Sequence, residues 1–348
     1  MQRRSLNAHK KAIIMTIRIG INGFGRIGRL VVRAIAERNI KDVEVVAINS
    51  PGAIETQAHL LRYDSVHGVF SKTVTFDAHK IIVDGKAIRV THERNPAAID
   101  WADLGVDVVM ECTGIFRDKE GASKHILGGA KKVLISAPGD KIDRTIVYGV
   151  NHETLRASDT VVSCASCTTN CLAPVAKVLM DTCGIARGFM TTVHSYTQDQ
   201  RILDNSHKDL YRARAAGLNM IPTSTGAAKA VGIVLPGLAG KLSGSAVRVP
   251  TANVSMVDLA IQPDRSTDAA EINAAMRAAA DGPMKGVLRY TEQALVSSDL
   301  NHDPHSAIFA APLTKVLHGD LAKIVAWYDN EWGFSNRMID VARAMMQA

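Results

Sequence analysis

A cysteine at a predicted helix start is the chain's most reactive feature. The stretch 163–170 reads Ser-Cys-Ala-Ser-Cys-Thr-Thr-Asn and is followed by a helical run to Gly184, which predicts that Cys167 lies in the first helical turn. Unpaired N–H groups and the positive end of the helix dipole favour a thiolate there. A thiolate can attack a carbonyl carbon and form a covalent intermediate. The sequence therefore predicts Cys167 as a catalytic nucleophile.

The neighbouring cysteines leave two alternatives open. Cys164 and Cys167 have the spacing of a redox or metal-binding pair, and Cys171 follows one helical turn later. No second cysteine pair or histidine cluster with zinc spacing follows in the sequence, which disfavours a metal site. Five cysteines, an odd number in a long chain without an export signal, predict reduced thiols and a cytoplasmic protein.

A cysteine nucleophile needs a base, and a later predicted strand carries a candidate. The strand 188–197 contains His194, which is followed by Ser195-Tyr196-Thr197-Gln198-Asp199. An imidazole can accept and return protons near neutral pH. Histidines in strands are more often structural than catalytic, so position alone leaves both roles open for His194.

A glycine-rich turn near the start of the chain predicts a dinucleotide site. Asn22-Gly23-Phe24-Gly25-Arg26-Ile27-Gly28 follows an alternating strand at 17–21 and opens a helix with an apolar stripe. Gly23 permits a tight turn, Gly25 lets the backbone approach a pyrophosphate, and Gly28 lets the helix lie close to the strand. The phosphates would then meet N–H groups at the helix start.

The end of the second predicted strand bears on the choice of cofactor. NAD sites usually place Asp or Glu there to bind the ribose 2′-hydroxyl, but this chain has Asn49-Ser50-Pro51. A carboxylate would repel the 2′-phosphate of NADP, whereas the Ser50 hydroxyl can donate to either cofactor. We therefore expect use of NAD or NADP, with NADP accepted.

Two kinds of sheet must position these residues. Up to about residue 166, strands alternate with helices or glycine-bearing connections, which predicts an α/β, Rossmann-type doubly wound domain. Beyond it, longer strands and gathered helices predict an α+β domain with a largely antiparallel sheet. The predicted strands are 17–21, 43–48, 69–76, a hairpin over 80–90, 106–112, 133–136, 146–150, 160–164, 188–197, 241–249, 253–261, 306–310 and 323–329. The predicted helices include 119–127, 225–235, 268–280 and 334–346, the last placed to pack back on the first domain.

Length and composition exclude some classes of protein. A chain of 348 residues exceeds what one core usually serves, and no apolar run approaches the roughly 18–20 residues that cross a bilayer. The net charge is +7, but the basic residues are scattered and aromatic residues make up only 5%. This pattern favours a basic surface for anionic metabolites over a dedicated nucleic-acid site. Residues 1–15 are predicted to be a disordered extension, or to precede the true start.

Four stretches together resemble the phosphorylating glyceraldehyde-3-phosphate dehydrogenase family. They are 21–29, with the glycine-rich turn, 165–170 (Ala-Ser-Cys-Thr-Thr-Asn), 222–229 (Pro-Thr-Ser-Thr-Gly-Ala-Ala-Lys) and 327–333 (Trp-Tyr-Asp-Asn-Glu-Trp-Gly). The resemblance runs in order from about Thr16 to the C-terminus. It implies a dinucleotide-binding domain of residues 16–166 and 331–348, a catalytic domain of residues 167–330, and a homotetramer.

The resemblance also implies a reaction. Cys167 would attack the aldehyde of D-glyceraldehyde 3-phosphate, and His194 would activate the thiol and take the hydroxyl proton as hydride passes to NAD(P). Inorganic phosphate would release the thioester as 1,3-bisphosphoglycerate, in glycolysis or gluconeogenesis. Asp199 is expected to orient Arg248 and not to touch the anion. The residues implied for the two anion sites are Thr197, Asp199 and Arg248 for one, and Ser166, Thr168, Thr225 and Gly226 for the other.

The resemblance extends to the cofactor contacts. Asn330 matches the asparagine that holds the nicotinamide carboxamide, and Thr113 and Ser136 belong to cofactor-facing stretches. The full implied set is Asn22, Gly23, Phe24, Gly25, Arg26, Ile27, Asn49, Ser50, Arg94, Thr113, Ser136, Ser206 and Asn330.

Three of these positions favour NADP. Ser50 stands where NAD-specific members have Asp, and Ser206 stands where they tend to have Pro. Arg94 aligns with an arginine that NADP-using members place on the 2′-phosphate.

Two other functions remain as alternatives. Erythrose-4-phosphate dehydrogenase uses the same thiol chemistry with water as acyl acceptor, and 301–305 resembles it, but the stretch 223–228 that serves the attacking phosphate is intact. A non-catalytic basic binding protein would be expected to lack Cys167, His194 or Arg248, and all three are present.

Overall fold

The computed structural model describes residues 16–348, so the predicted extension at 1–15 lies outside the described residues. Within them, the N-terminal part contains β1 (Ile17–Asn22), α1 (Arg26–Glu37), β2 (Val43–Asn49), α2 (Ile54–Arg62), β3 (Tyr63–Asp64), β4 (Gly68–Val69), β5 (Val74–Phe76), β6 (Lys80–Val83), β7 (Lys86–Thr91), β8 (Val108–Glu111), α3 (Lys119–Leu127), β9 (Lys132–Ile135), β10 (Arg144–Thr145) and β11 (Val161–Ser163).

The remainder of the chain contains α4 (Cys167–Thr182), β12 (Arg187–Ser195), β13 (Ile221–Ser224), α5 (Ala227–Val234), β14 (Leu242–Val249), β15 (Ser255–Gln262), α6 (Ala269–Asp281), β16 (Leu288–Thr291), β17 (Ala307–Ala310), β18 (Lys315–Leu317), β19 (Leu321–Tyr328) and α7 (Trp332–Gln347).

The first sheet is mostly parallel, as the alternating pattern predicts. Its strand order is β10-β11-β9-β8-β1-β2-β7-β6-β5. The strands from β10 to β7 pair in parallel, and the edge formed by β7, β6 and β5 is antiparallel. The carboxyl ends of β8, β1, β2 and β7 therefore meet at one edge, where ligands bind in open α/β sheets.

The second sheet is largely antiparallel, as predicted. Its order is β13-β14-β12-β15-β19-β17-β16, with β18 paired to β19. Among the described pairs of this second sheet, only β12·β14 and β16·β17 are parallel. One parallel pair matters for the site, because it aligns His194 of β12 with Arg248 of β14.

Two strand predictions are wrong. Residues 146–150 form turns, because the Asn151 side chain accepts from the Val147 N–H at 2.8 Å and donates to the Thr145 carbonyl at 2.9 Å. These bonds replace a strand ladder. The segment 69–76 divides into β4 and β5, because the Asp64 carboxylate caps a turn that pairs β4 with β3. The sequence analysis also missed α2, β3, β10, β13, β16 and β18.

The C-terminal helix returns to the first sheet. Trp332, Met338 and Ile339 of α7 are buried in the same apolar cluster as Ile21 of β1 and Leu30 of α1. No helix within residues 16–348 is long and apolar enough to cross a membrane.

Candidate active site

A sharp turn carries the chain from the first sheet to the candidate nucleophile. Between β11 and α4, Ala165 adopts φ +57°, a left-handed conformation that is costly for a residue with a Cβ. The Ser163 hydroxyl accepts from the Ala165 N–H at 2.9 Å, and the Ser166 hydroxyl accepts from the Thr169 N–H at 3.1 Å as the helix N-cap. Cys167 is the first residue of α4, as predicted.

The candidate base lies next to the sulfur. Cys167 Sγ is 3.5 Å from His194 Nε2. His194 Nδ1 is 2.7 Å from the Ser195 carbonyl oxygen, an acceptor, and 2.7 Å from Arg248 Nη1, a donor. In the tautomer with the proton on Nδ1, the imidazole donates to the carbonyl and the Nε2 lone pair faces the thiol, which is the arrangement that a base requires.

Burial shifts both groups towards their neutral forms. Burial raises the pKa of the Cys167 thiol, and the charge of Arg248 and hydrogen bonds from Thr168 only partly oppose it. Burial therefore opposes the thiolate that the position at the helix start is expected to favour. Burial, followed by the charge of Arg248, lowers the pKa of His194 to about 3. Proton transfer from sulfur to imidazole creates two opposite charges in contact, and their attraction offsets part of the desolvation cost.

An arginine completes the cluster. Arg248 Nη1 donates to the Ser195 carbonyl at 2.8 Å, which also places Nη1 2.7 Å from His194 Nδ1. Arg248 Nε is buried without a hydrogen-bond partner among residues 16–348. The Arg248 side chain as a whole is only partly buried, so its guanidinium can receive an anionic substrate beside the nucleophile.

The expected pairing of Asp199 with Arg248 is wrong. The Asp199 carboxylate accepts from Arg212 at 2.5 Å and lies 3.4 Å from His207 Nε2. Its partners come from the same irregular segment, 197–220, whereas Arg248 is held within the sheet by β14. Thr197 lies at the start of that segment, where its N–H donates to Gln200.

The second set of anion residues surrounds two helix starts. Gly226 is the N-cap of α5, with open space where a Cβ would lie, and the Thr225 hydroxyl accepts from the Ala227 N–H. Ser166 is itself the N-cap of α4, and its hydroxyl accepts from the Thr169 N–H. Thr168 differs, because its hydroxyl is buried 2.7 Å from the Tyr328 hydroxyl. Its backbone N–H is therefore the group that can meet an anion.

The glycine-rich turn has the geometry that its sequence predicts. Gly23 has φ +94°, and a Cβ there would lie 2.7 Å from the Thr113 nitrogen. A Cβ on Gly28 would lie 2.4 Å from the Gly23 carbonyl oxygen, so only glycine allows α1 this close to the turn. Gly25 caps α1 and faces open space, as a bound pyrophosphate requires.

Comparison with known proteins agrees with this geometry. The family model of the glyceraldehyde 3-phosphate dehydrogenase NAD binding domain matches residues 17–119, and that of the C-terminal domain matches residues 166–330. The chain belongs to the glyceraldehyde-3-phosphate dehydrogenase family. It is an oxidoreductase that uses a nicotinamide dinucleotide.

Relatives match over nearly their full length. The chain is 64% identical to glyceraldehyde-3-phosphate dehydrogenase of Cereibacter sphaeroides over 95% of this chain and 99% of the relative. It is 58% identical to that of Xanthobacter flavus over the same shares, and 56% identical to glyceraldehyde-3-phosphate dehydrogenase 1 of Bacillus cereus over 94% and 98%.

The cofactor residues named from this family resemblance divide into backbone and side-chain candidates. The Phe24 side chain is buried in the core, so Phe24 can offer a ligand only backbone groups. The Arg26 side chain is directed to Glu331 at 2.8 Å and Asp64 at 2.5 Å. Ile27 lies in the first turn of α1, and the Ser136 N–H donates to a carbonyl at the end of β8. Asn330 Oδ1 accepts from Ser255, which leaves its Nδ2 group to donate to a carboxamide.

The residues expected to favour NADP make no hydrogen bonds to one another within residues 16–348. The Ser50 side chain is buried, and its hydroxyl accepts from Gln57 at 3.1 Å, which leaves the hydroxyl proton for donation. Arg94 is exposed beyond β7, and Ser206 is exposed in the segment 197–220. Within residues 16–348 no hydrogen bond joins Ser206 to Ser50 or Arg94.

Sequence reasoning missed Tyr328. Its buried hydroxyl lies 2.7 Å from Thr168 Oγ1 and 2.9 Å from Thr192 Oγ1, and its ring meets His194 edge-on at 5.9 Å. Burial raises the pKa of Tyr328 well above its usual range. It therefore acts as a neutral spacer between α4 and β12.

Within residues 16–348, no group of three or more His, Cys, Asp or Glu side chains could hold a metal ion.

The charge of Arg248 predicts a change in thiol reactivity. Since this charge lowers the pKa of Cys167, Arg248→Met should raise that pKa and displace the pH profile of Cys167 alkylation to higher pH. We expect alkylation by iodoacetamide to be roughly three- to tenfold slower at about pH 8, with convergence once both thiols are ionised. Arg265→Met, a surface arginine bound to Glu271, is the matched control. Superimposable profiles would contradict an electrostatic role for Arg248.

Proposed function

We propose that this chain catalyses the oxidative phosphorylation of D-glyceraldehyde 3-phosphate to 1,3-bisphosphoglycerate, with hydride transfer to NAD(P), in glycolysis or gluconeogenesis. The main support is the contact between Cys167 Sγ and His194 Nε2 at 3.5 Å, beside the partly buried guanidinium of Arg248. A covalent route needs this combination of nucleophile, base and anion receptor.

The proposed first step forms a bond from sulfur to the aldehyde carbon. The Cys167 thiol proton passes to His194 Nε2 and then to the carbonyl oxygen, which gives a hemithioacetal. His194 Nε2 takes the hydroxyl proton again as hydride leaves the same carbon. When bound, the nicotinamide accepts that hydride, and the Nδ2 group of Asn330 is placed to hold its carboxamide.

The proposed second step releases the acyl group. A phosphate oxygen attacks the thioester carbon, the carbon–sulfur bond breaks, and Cys167 leaves as a thiolate that recovers a proton from His194. We assign one anion site to Arg248 and Thr197. The other would use Ser166, Thr225 and the N–H groups of Thr168 and Gly226. We assign Asp199 to holding Arg212, in place of an anion contact.

The choice of acyl acceptor gives the main test. Steady-state rates with D-glyceraldehyde 3-phosphate should depend on inorganic phosphate, and erythrose 4-phosphate should be a poor substrate under the same conditions. Cys167→Ser should lose at least about 10³-fold in kcat, because it removes a covalent nucleophile. Fast, phosphate-independent oxidation of erythrose 4-phosphate would favour the alternative dehydrogenase. Salt-sensitive RNA binding without turnover would favour a binding protein.

We propose that both NAD and NADP are used. The position after β2 carries no carboxylate, and the Ser50 hydroxyl keeps a proton to donate.

Ser50→Asp should discriminate against NADP. The new carboxylate would repel the 2′-phosphate, so kcat/KM for NADP should fall about tenfold or more while that for NAD is kept or improved. Ser50→Asn, which adds similar volume without charge, is the matched control. Unchanged NADP kinetics in the Asp variant would remove Ser50 from the 2′ site.

We propose that the protein is a homotetramer. The segment 197–220 exposes large apolar side chains, among them Ile202 at 90% and Leu218 at 79%, which is typical of an interface.

The interface proposal predicts a change in mass. Sedimentation should give about four times the 37.4 kDa chain mass, and the double variant Ile202→Asp, Leu218→Asp should give smaller species. Leu127→Asp, an equally exposed residue on α3, is the control. A monomeric parent protein would contradict the proposal.

We further propose two domains, a dinucleotide-binding domain of residues 16–166 and 331–348 and a catalytic domain of residues 167–330. The return of α7 to the first sheet supports these limits. A cytoplasmic location is proposed from the five cysteines, all of which are thiols in the described residues.

A further inference from the structure

A buried carboxylate lies beneath the dinucleotide turn. Glu111 ends β8 and is 1% exposed. The parallel register places Asn49 of β2, Asn22 of β1 and Glu111 of β8 side by side across three adjacent strands. Side chains at equivalent positions of parallel strands point to the same face, so the three meet at the carboxyl edge of the sheet.

Four donors surround this carboxylate. Oε1 accepts from the Thr113 N–H at 2.7 Å and also from the Thr113 hydroxyl. Oε2 accepts from Asn22 Nδ2 at 2.6 Å and from His125 Nε2 at 3.0 Å. Each oxygen thus accepts from two donors, which occupies both of its acceptor positions.

On one side, the direction of the hydrogen bonds is fixed by a backbone N–H. The Glu93 N–H must donate, so the Asn49 atom that it meets at 2.8 Å is the side-chain oxygen. The other Asn49 atom, Nδ2, then donates to Asn22 Oδ1 at 2.7 Å. This bond leaves Nδ2 of Asn22 to donate to Glu111.

On the other side, the direction is fixed by an indole. The Trp101 Nε1–H can only donate, and it meets His125 Nδ1 at 3.1 Å. The His125 proton is therefore on Nε2, from which it is donated to Glu111. Both chains of hydrogen bonds point inward and end on Glu111 Oε2, which therefore accepts from both sides.

The Glu111 side chain links the dinucleotide turn after β1 to the segment that follows β8. Gly23, which follows Asn22, packs against the backbone of Thr113, and Glu111 binds both Asn22 and Thr113. Asn49 leads directly to Ser50. The Asn22 side chain is used entirely inside the network, so Asn22 can meet a ligand only through its backbone.

We propose that Glu111 is a positioning residue for dinucleotide binding. Its side chain orders the β1–α1 turn and the 112–114 turn against each other before the cofactor arrives. The inference rests on the dinucleotide part of the proposed function and does not depend on the acyl acceptor or the anion sites.

Glu111→Gln tests this proposal with almost no change in volume. The amide nitrogen would face donors on every side, so the turn should lose its fixed arrangement. We expect Kd for NAD and for NADP, measured by isothermal titration, to rise about tenfold or more. KM for the dinucleotide should rise in parallel. At saturating cofactor, kcat should stay within about twofold, and Cys167 alkylation in the absence of cofactor should be unchanged.

Matched variants separate positioning from general stability. Asp159→Asn removes another buried carboxylate, one that binds Arg144 at the β10–β11 edge of the same sheet, and should leave both Kd values unchanged. His125→Leu removes one donor to Glu111 and should raise Kd. His125→Gln keeps an N–H near the position of Nε2 and should restore most of the affinity. This pair carries the test if circular dichroism shows that Glu111→Gln does not fold.

Two outcomes would overturn the proposal. One is unchanged dinucleotide affinity in folded Glu111→Gln, or equal affinities in the two His125 variants. The other is a loss that falls on kcat and on Cys167 alkylation while Kd is kept. Failure of the proposed function itself is distinguishable, because it would appear in the unmodified protein as a lack of phosphate-dependent turnover.

Discussion

The contact between the Cys167 sulfur and the His194 imidazole places the strictest demand on this structure. The two residues come from different parts of the fold, one from the first turn of α4 and the other from the end of β12. His194 is buried and Cys167 is partly buried, and burial disfavours a charge on either side chain alone. The backbone that carries each of the two residues must be held firmly, because the opposite charges on the sulfur and the imidazole have to form together at short range.

The turn before Cys167 shows how that requirement is met. A left-handed alanine costs on the order of 1–3 kcal/mol and persists only where its surroundings hold it. Here Asn170 Nδ2 donates to the Cys164 carbonyl at 2.7 Å and to the Ser166 carbonyl at 3.0 Å. These bonds, with the Ser163 and Ser166 hydroxyls, fix the turn from both ends. The Tyr328 hydroxyl then links α4 to β12 and sets the distance between sulfur and base.

The dinucleotide edge uses a different solution. The carboxyl ends of adjacent parallel strands bring buried polar side chains next to one another. A buried polar group without a hydrogen-bond partner would be costly there. The row of Asn49, Asn22 and Glu111 satisfies these groups with one another, and the indole and imidazole complete the row on its other side. The surface left for a ligand is then mostly backbone, which agrees with the inward side chains of Phe24 and Arg26.

The sequence by itself determined the local features of this protein. The glycine spacing, the cysteine at a helix start and the alternation of strands with helices each depend on neighbours within a few residues, and all three are observed. Errors arose where side chains competed locally with the strand ladder, as Asn151 does at 146–150.

Only the tertiary structure decided the partners of the charged and polar groups. Asp199 was assigned to Arg248 because both suited an anion site, but the folding of the segment 197–220 brings Arg212 to it instead. The desolvation of Cys167, the position of Tyr328 and the network around Glu111 all arise from elements that are distant in sequence. Their energetics depend on burial and on which donors converge, and neither quantity is encoded in any short stretch of residues.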